Sequence, residues 1–136
     1  MDEKAVVLIE DNPDDAFLTM RTLKKCGITK VTLLHDGVEA LDFLLGRRDD
    51  GHRPDPAPTF ILLDLKLPKV DGIEVLEALH ADPRARLIPV IVLSSSREDS
   101  DLRRCLALGA RDYLNKPLNA GELCAIIDRL PEPYQI

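Results

Sequence analysis

The sequence predicts an α/β domain of the doubly wound (βα)5 type, built on a five-stranded parallel sheet. Short apolar runs without turn formers alternate along the chain with segments that carry apolar residues at helical spacing. The runs are apolar at nearly every position, which is typical of parallel strands buried on both faces. With right-handed crossovers, this alternation gives the strand order 2-1-3-4-5.

Five short segments, four of them largely apolar, are predicted to be strands. The third of them, residues 60–63, consists of four large apolar residues and leads directly into Asp64, while Pro68 forces the chain into a loop soon afterwards. Ligands bind beyond the carboxyl ends of the strands in sheets of this type, so Asp64 is placed where chemistry is expected. The other predicted strands are residues 5–9, 31–34, 89–93 and 111–115.

Five helices are predicted from capping residues followed by a helical apolar pattern. Asn12 and Pro13 suit the start of the first helix, which stops at Gly27. Asp36 and Asp71 each precede a glutamate by three positions, as in a capping box. The other boundary residues are Gly46, Asp82, Gly109, Asn119 and Pro131. The predicted inward residues are Ala16, Met20, Leu23, Val38, Leu41, Leu45, Ile73, Leu76, Leu79, Leu102, Cys105, Leu106, Leu123, Ile126, Ile127 and Leu130.

The length and charge of the chain limit what it can be. Its 136 residues suit one domain, expected at residues 1–130 with a short tail at 131–136. The net charge of −6 argues against nucleic acid as the main partner. No apolar run approaches the roughly 20 residues of a membrane span, and the first residues do not resemble a secretory signal, so we expect no membrane partner and a cytoplasmic location.

Three features receive no chemical role. The three cysteines are odd in number and lack metal or redox spacing, so reduced thiols are expected. The three histidines likewise show no ligand spacing. Residues 47–58 form a long connection that is either a mobile loop, the favoured interpretation, or a partner contact. The cysteines and histidines are Cys26, Cys105, Cys124, His35, His52 and His80.

Polar residues follow four of the strands and should meet at one edge of the sheet. Two carboxylates about 4 Å apart repel by roughly 4 kcal/mol at an effective dielectric constant of 20, so a cluster of acids requires a cation. Oxygen-only ligands favour Mg²⁺, and a lysine with a serine opposite would suit a phosphoryl group. The alternative is that all are ordinary turn residues. The cluster consists of Glu10, Asp11, Asp64, Ser94 and Lys116.

From residue 6 to about residue 130, the sequence resembles the response-regulator receiver domains of two-component signalling, which have a flavodoxin-like fold. The acids after the first strand, the serine after the fourth and Lys116-Pro117 after the fifth all match. The stretch from Asp64 to Gly72 also matches the family pattern D-x-x-x-P-x-x-D-G.

The resemblance implies that Asp64 accepts a phosphoryl group from a histidine kinase. Mg²⁺ would be held by Glu10, Asp11, Asp64 and the backbone carbonyl of Lys66.

The resemblance also assigns the residues that respond to phosphorylation. Lys116 would pair with the phosphoryl group, Ser94 would hydrogen-bond it, and Tyr113 would change rotamer. The peptide between Lys116 and Pro117 is expected to be cis.

A finer resemblance is to stand-alone regulators that partner bacterial phytochrome kinases. It rests on residues 10–15, 64–69 and 94–97. The chain departs from them in the insertion at 47–58 and in a tail, 134–136, shorter than the C-terminal arm that many of them carry, so an arm-exchanged dimer is not expected.

The expected function is therefore that of a phosphoacceptor in a phosphorelay, not of an enzyme beyond its own phosphorylation and dephosphorylation. Residues 97–108, Tyr113 and the last helix would form the responding face, which contacts a second copy or another partner, and a downstream phosphotransfer protein is a further candidate partner. Lys66 and Ser96 are expected beside the path of hydrolytic water.

Three alternatives remain at this stage. An adaptor that works without phosphorylation would usually lack one of the site residues, and none is missing. A phosphohydrolase of the haloacid-dehalogenase type needs D-x-D, but Lys66 occupies the second acidic position. A flavodoxin-like cofactor binder would need a phosphate-binding loop after the first strand.

Overall fold

A computed structural model describes residues 4–47, 51–54, 56–95 and 99–130. The predicted tail lies outside these residues, so the division at residue 130 stays a prediction. None of the helices in the described ranges is long and apolar enough to cross a bilayer. The elements are β1 Ala5–Ile9, α1 Pro13–Lys25, β2 Lys30–Leu34, α2 Gly37–Leu45, β3 Phe60–Asp64, α3 Gly72–Ala81, a 3-10 helix Ala85–Leu87, β4 Val90–Ser94, α4 Asp99–Ala107, β5 Asp112–Asn115 and α5 Ala120–Asp128.

The sheet has the predicted topology. All neighbouring strands are parallel, and their order is β2-β1-β3-β4-β5. In the register, Asp64 lies beside Leu93, and Ser94 lies beside Asn115. The residues that follow β1, β3, β4 and β5 therefore emerge at the same edge of the sheet.

Helices cover both faces of the sheet. On one face, alternate residues of β1, β3 and β4 pack against α1 and α5, and on the other face the intervening residues pack against α2, α3 and α4. The apolar residues of β3, from Phe60 to Leu63, are all fully buried. Truncating such a leucine to alanine typically costs about 2–5 kcal/mol, so β3 fixes the position of Asp64 strongly.

Four of the five predicted helix starts are confirmed. In each case the side chain of the capping residue accepts a hydrogen bond from the backbone N–H three positions later, at 2.8–3.0 Å. A cap of this kind contributes about 1 kcal/mol to helix stability. The four capping residues are Asn12, Asp36, Asp71 and Asn119.

Two predicted inward residues face outward. Val38 and Leu106 are 40% and 47% exposed. In α2 the buried face is instead made by Gly37, Ala40, Leu41 and Leu44. The reason is that the backbone of Val70 lies directly against Gly37, in the space a side chain would need, and this close approach sets the rotation of the helix.

The expectation of reduced cysteines is wrong for two of the three. Cys26 and Cys124 form a disulfide, with their Cα atoms 5.3 Å apart. Cys26 caps the end of α1 and Cys124 lies within α5, and these helices pack on the same face of the sheet. A sequence separation of 98 residues gives no sign of this proximity. Cys105 is a buried free thiol.

The described part of the connection after α2 is anchored to the end of α3. The guanidinium of Arg53 donates two hydrogen bonds to the carboxylate of Asp82, at 2.8 and 2.9 Å. Asp82 also accepts hydrogen bonds from the backbone N–H groups of Arg84 and Ala85. The hydrogen bonds from Arg53 hold the pKa of Asp82 well below its ordinary value. Residues 48–50 and 55 of this connection lie outside the described ranges, so its mobility stays a prediction.

Candidate phosphoacceptor site

Three carboxylates meet at the carboxyl edge of the sheet. Glu10 follows β1 and is buried, Asp64 ends β3 and is buried, and Asp11 is exposed. One oxygen from each of the three lies within 4.8 Å of the others. The strand order predicted this cluster, because it places β1 beside β3.

Lys116 reaches into the cluster from the end of β5. Its ammonium nitrogen lies 2.6 Å from Oε1 of Glu10 and 2.7 Å from Oδ2 of Asp64. The backbone N–H of Lys116 donates a hydrogen bond of 2.9 Å to the carbonyl of Ser94, which ties the end of β5 to the end of β4. The peptide from Lys116 to Pro117 is cis, as expected.

A third carboxylate holds Lys116, and the sequence pattern alone does not reveal it. Oδ2 of Asp15 lies 3.0 Å from the ammonium nitrogen. Asp15 stands in the first turn of α1, where the helix dipole also favours an acidic residue. The signal that could have revealed its second role is its position, because the start of α1 must lie above the end of β1.

The close packing of three carboxylates around one ammonium shifts the pKa values of Glu10 and Lys116. Burial and the neighbouring carboxylate of Asp64 raise the pKa of Glu10 to about 7, and the ammonium of Lys116 offsets only part of that rise. Burial alone would lower the pKa of Lys116, but its carboxylate partners outweigh this and raise it above its ordinary value. The site therefore keeps a positive charge at position 116 at any physiological pH.

The other predicted responders lie where their strands place them. Ser94 is buried at the end of β4, one position beyond the residue beside Asp64. Tyr113 stands in β5 and packs, partly buried, against the core on the α2–α4 side. Ser96 lies outside the described residues.

The loop after β3 is shaped by its contact with α3. The backbone N–H of Lys66 donates a hydrogen bond of 2.9 Å to Oδ1 of Asp64, and the side chain of Lys66 is exposed. Gly72 lies so close to Leu65 and to the carbonyl of Asp64 that a Cβ atom there would clash with backbone. This explains the glycine of the sequence pattern. The backbone carbonyl of Lys66 as a metal ligand stays a prediction.

The acidic cluster fits a divalent cation. All its donors are carboxylate oxygens, and the exposed Asp11 leaves one side open to water, as Mg²⁺ and Mn²⁺ prefer. Two of the three acids are buried, and each is paired with the same single ammonium. A cation would therefore offset negative charge that Lys116 alone leaves uncompensated.

A cleft of about 500 Å³ opens beside Lys116, between α1 and the segment after β5. The α1 residues that line it are mostly polar or charged, but Leu18 is exposed at its edge, and the adjacent Phe17 is also largely exposed. A second cleft of about 550 Å³ lies on the other side of the loop, lined by Lys66 and Ser94 among others. The two clefts therefore expose Lys116 on one side of the site and Ser94 with Lys66 on the other.

Two curated relatives are similar along most of their length. The probable methanogenesis regulatory protein FilR2 of Methanothrix harundinacea is 41% identical over 128 residues, which are 93% of this chain and 81% of FilR2. The response regulator Rcp1 of Synechocystis sp. is 35% identical over 125 residues, covering 91% of this chain and 84% of Rcp1.

Solved structures of response regulators are similar to this chain in both sequence and fold. The bacteriophytochrome response regulator AtBRR is 40% identical, covers 100% of this chain and 98% of its own, and has a TM-score of 0.82. The Mn²⁺-bound form of Rcp1 is 32% identical, with coverage of 96% and 99% and a TM-score of 0.79. The phosphorylated cyanobacterial phytochrome response regulator RcpA is 35% identical, with coverage of 93% and 89% and a TM-score of 0.78.

The family model for the response regulator receiver domain matches residues 6–128. Apart from Ala5 at the start of β1, that range includes the five strands and five α-helices described above, together with each of the acidic and basic residues of the site. The chain belongs to the response-regulator receiver family.

Proposed function

We propose that this chain receives a phosphoryl group on Asp64 from the phosphohistidine of a histidine kinase and so acts as a signalling protein in a phosphorelay. The observation that carries the proposal is the ammonium of Lys116, 2.7 Å from Oδ2 of Asp64. A fixed positive charge beside a buried carboxylate is what a transferred phosphoryl group requires.

The transfer needs little chemistry from the chain itself. One oxygen of Asp64 attacks phosphorus, the P–N bond of the donor breaks, and its electron pair stays on the imidazole nitrogen, which takes up a proton. Lys116 faces the oxygens of the arriving group, and the backbone N–H of Lys66 keeps the carboxylate oriented through its hydrogen bond to Oδ1. A divalent cation held by Glu10, Asp11 and Asp64 would offset the added negative charge.

Transfer from purified, autophosphorylated kinases would test the proposal. We expect radiolabel to appear on the wild-type chain in the presence of Mg²⁺ and to be absent from Asp64→Asn. Asp101→Asn is the matched control, since it removes an acid from the rim of the second cleft without touching the cluster. Label on Asp64→Asn equal to that on the wild type would refute the assignment of Asp64.

The partner kinase is proposed to be a bacterial phytochrome, acting in the cytoplasm where ATP supplies the phosphoryl group. Similarity to AtBRR and Rcp1 supports a phytochrome partner. The exposed side chains of Phe17 and Leu18 offer the kinase an apolar contact on α1, and Leu18 lines the cleft beside Lys116. Substituting Leu18 with aspartate should slow transfer from the kinase and leave phosphorylation by acetyl phosphate unchanged. Equal slowing of both reactions would argue against a docking role.

The output is proposed to run through α4, β5 and α5. Ser94 and Lys116 connect the site to β4 and β5, and Leu106 gives α4 an exposed apolar residue for a second copy of the chain or a downstream phosphotransfer protein. Arg97, at the start of the expected face, lies outside the described residues. Light scattering with and without beryllofluoride tests the homodimer, and a monomeric mass in both conditions would exclude it.

A further inference from the structure

The ammonium of Lys116 has three N–H groups and three carboxylate partners. Two of these partners, Glu10 and Asp64, belong to the acidic cluster that fits a cation. The third, Asp15, lies 3.0 Å from the ammonium but is not part of that cluster. Its side chain is 41% exposed, whereas that of Lys116 is only 16% exposed, so Asp15 holds the ammonium from the solvent side.

The three carboxylate partners of Lys116 would respond differently when a cation and a phosphoryl group bind at the site. A cation held by Glu10 and Asp64 would compete with the ammonium of Lys116 for the two carboxylates that now accept its hydrogen bonds. A phosphoryl group on Asp64 then presents new oxygens to the ammonium. Asp15 takes part in neither event, and the contact between Asp15 and Lys116 can persist throughout.

We propose that Asp15 is a positioning residue: it keeps the ammonium of Lys116 beside Asp64 when the acids turn to the cation, so that the remaining two N–H groups face the phosphoryl oxygens. The inference rests on the proposed function of Asp64. An untethered lysine side chain loses considerable rotamer freedom when it is fixed, and a charge-assisted hydrogen bond from the helix removes part of that cost before the phosphoryl group arrives.

The opposite effect is also physically possible, which makes the inference testable. A carboxylate this close to the ammonium also adds negative charge near the phosphoryl group. If repulsion were the larger effect, removing Asp15 would strengthen binding of a phosphoryl mimic.

The chain supplies a matched control in the preceding residue. Asp14 is exposed, stands in the same first turn of α1, and is not among the carboxylates that hold Lys116. Asp14→Asn and Asp15→Asn therefore remove the same charge from the same turn, and only the second weakens the contact. Asp15→Glu keeps the charge and tests rescue, while Asp15→Ala serves as a second loss variant.

The experiment is a titration of each full-length variant with beryllofluoride in saturating Mg²⁺, followed by backbone amide NMR. We expect binding about fivefold weaker in Asp15→Asn, close to the 1 kcal/mol limit for a partly exposed ion pair. Asp15→Ala should lose at least as much, Asp15→Glu should recover most of the affinity, and Asp14→Asn should stay within about twofold of the wild type. Spectra and thermal midpoints recorded without Mg²⁺ verify that each variant folds.

Affinity in Asp15→Asn equal to that of Asp14→Asn, or tighter than that of the wild type, would overturn the inference while leaving the proposed function intact. A wild-type chain that does not bind the mimic, or an Asp64→Asn variant that binds it equally well, would overturn the proposed function and the inference with it.

Discussion

Lys116 and Asp64 are 52 residues apart in the sequence, yet the ammonium of one lies 2.7 Å from the carboxylate of the other. The pair exists because β3 and β5 flank β4 in the sheet and both end at the same edge. Loss of Lys116 should therefore affect the stability of the chain as well as its chemistry.

Replacing Lys116 with methionine leaves Glu10 and Asp64 facing each other without a cation. We expect the free energy of unfolding at neutral pH, measured by urea in EDTA, to fall by about 2 kcal/mol, less than for a fully buried pair because Lys116 keeps some exposure. Mg²⁺ should restore most of this loss, since it offsets the same charges. Lys24→Met, on the exposed end of α1, is the control. An unchanged stability for Lys116→Met would contradict the ion-pair account.

The stability of the metal-free chain should depend on pH through Glu10. Its pKa is about 7 in the folded state, compared with 4.5 ordinarily. Between these values the folded state retains a proton that the unfolded state has lost, so stability is expected to decrease as the pH rises from 4.5 to about 7. Urea unfolding in EDTA across this window should show the decrease in the wild type and a flatter profile in Glu10→Gln. A parallel slope in both proteins would rule out Glu10 as its source.

Lys66 is exposed and lies two residues after Asp64, the proposed phosphoacceptor. We expect Lys66→Ala to shorten the lifetime of phospho-Asp64 about threefold, as befits one exposed charge interaction, because the ammonium opposes productive attack by water. Lys69→Ala is the matched control, since that lysine stands in the same loop but its ammonium pairs with Asp36 at 3.4 Å. Lifetimes follow from decay of the radiolabelled protein, and an unchanged value for Lys66→Ala would end the hypothesis.

The disulfide between Cys26 and Cys124 should stabilise the oxidised chain. It closes a loop of about 100 residues, for which the stabilisation is typically about 2–5 kcal/mol. Reduction by dithiothreitol is therefore expected to lower the thermal midpoint of the wild type but not that of the double variant with serine at both positions. Cys105→Ala should behave like the wild type towards the reductant, because this buried thiol is not part of the bond. Identical midpoints for the wild type with and without reductant would contradict this prediction.

The contact between Arg53 and Asp82 should stabilise the end of α3. Asp82→Ala removes both the guanidinium contact and the hydrogen bonds to the N–H groups of Arg84 and Ala85, so a loss of about 1–3 kcal/mol is expected in urea unfolding. Arg53→Lys keeps the charge but cannot make both hydrogen bonds, and should lose about 0.5–1 kcal/mol. A larger loss of unfolding free energy in Arg53→Lys than in Asp82→Ala would contradict this account, in which the hydrogen bonds that Asp82 accepts from Arg84 and Ala85 add to its contact with Arg53.

Most of the fold and the centre of the site could be predicted from the sequence. Apolar runs such as residues 60–63 identify strands because a strand buried on both faces of a sheet is apolar at every position. Capping residues such as Asn12 identify helix starts because the cap is a hydrogen bond to a backbone N–H only three positions away. The strand order then follows from the right-handed crossovers between parallel strands. Because this order places β1 beside β3, Asp64 lies close to Glu10.

What could not be predicted depends on how helices pack against each other and against loops. The role of Asp15 and the bond between Cys26 and Cys124 require knowing which residues of α1 face the end of β5 and the side of α5. Val38 faces outward because a loop occupies the space beside Gly37, which no helical periodicity reveals.

Two residues without side chains enclose the segment that carries the phosphoacceptor. Backbone of the loop after β3 presses against Gly37 at one end and against Gly72 at the other. A single added methyl group would displace the main chain of Asp64 and Leu65 at Gly72, and that of Val70 at Gly37, although neither glycine belongs to the acidic cluster. Gly37→Ala or Gly72→Ala is therefore expected to shift this loop without removing any charged group from the acidic cluster.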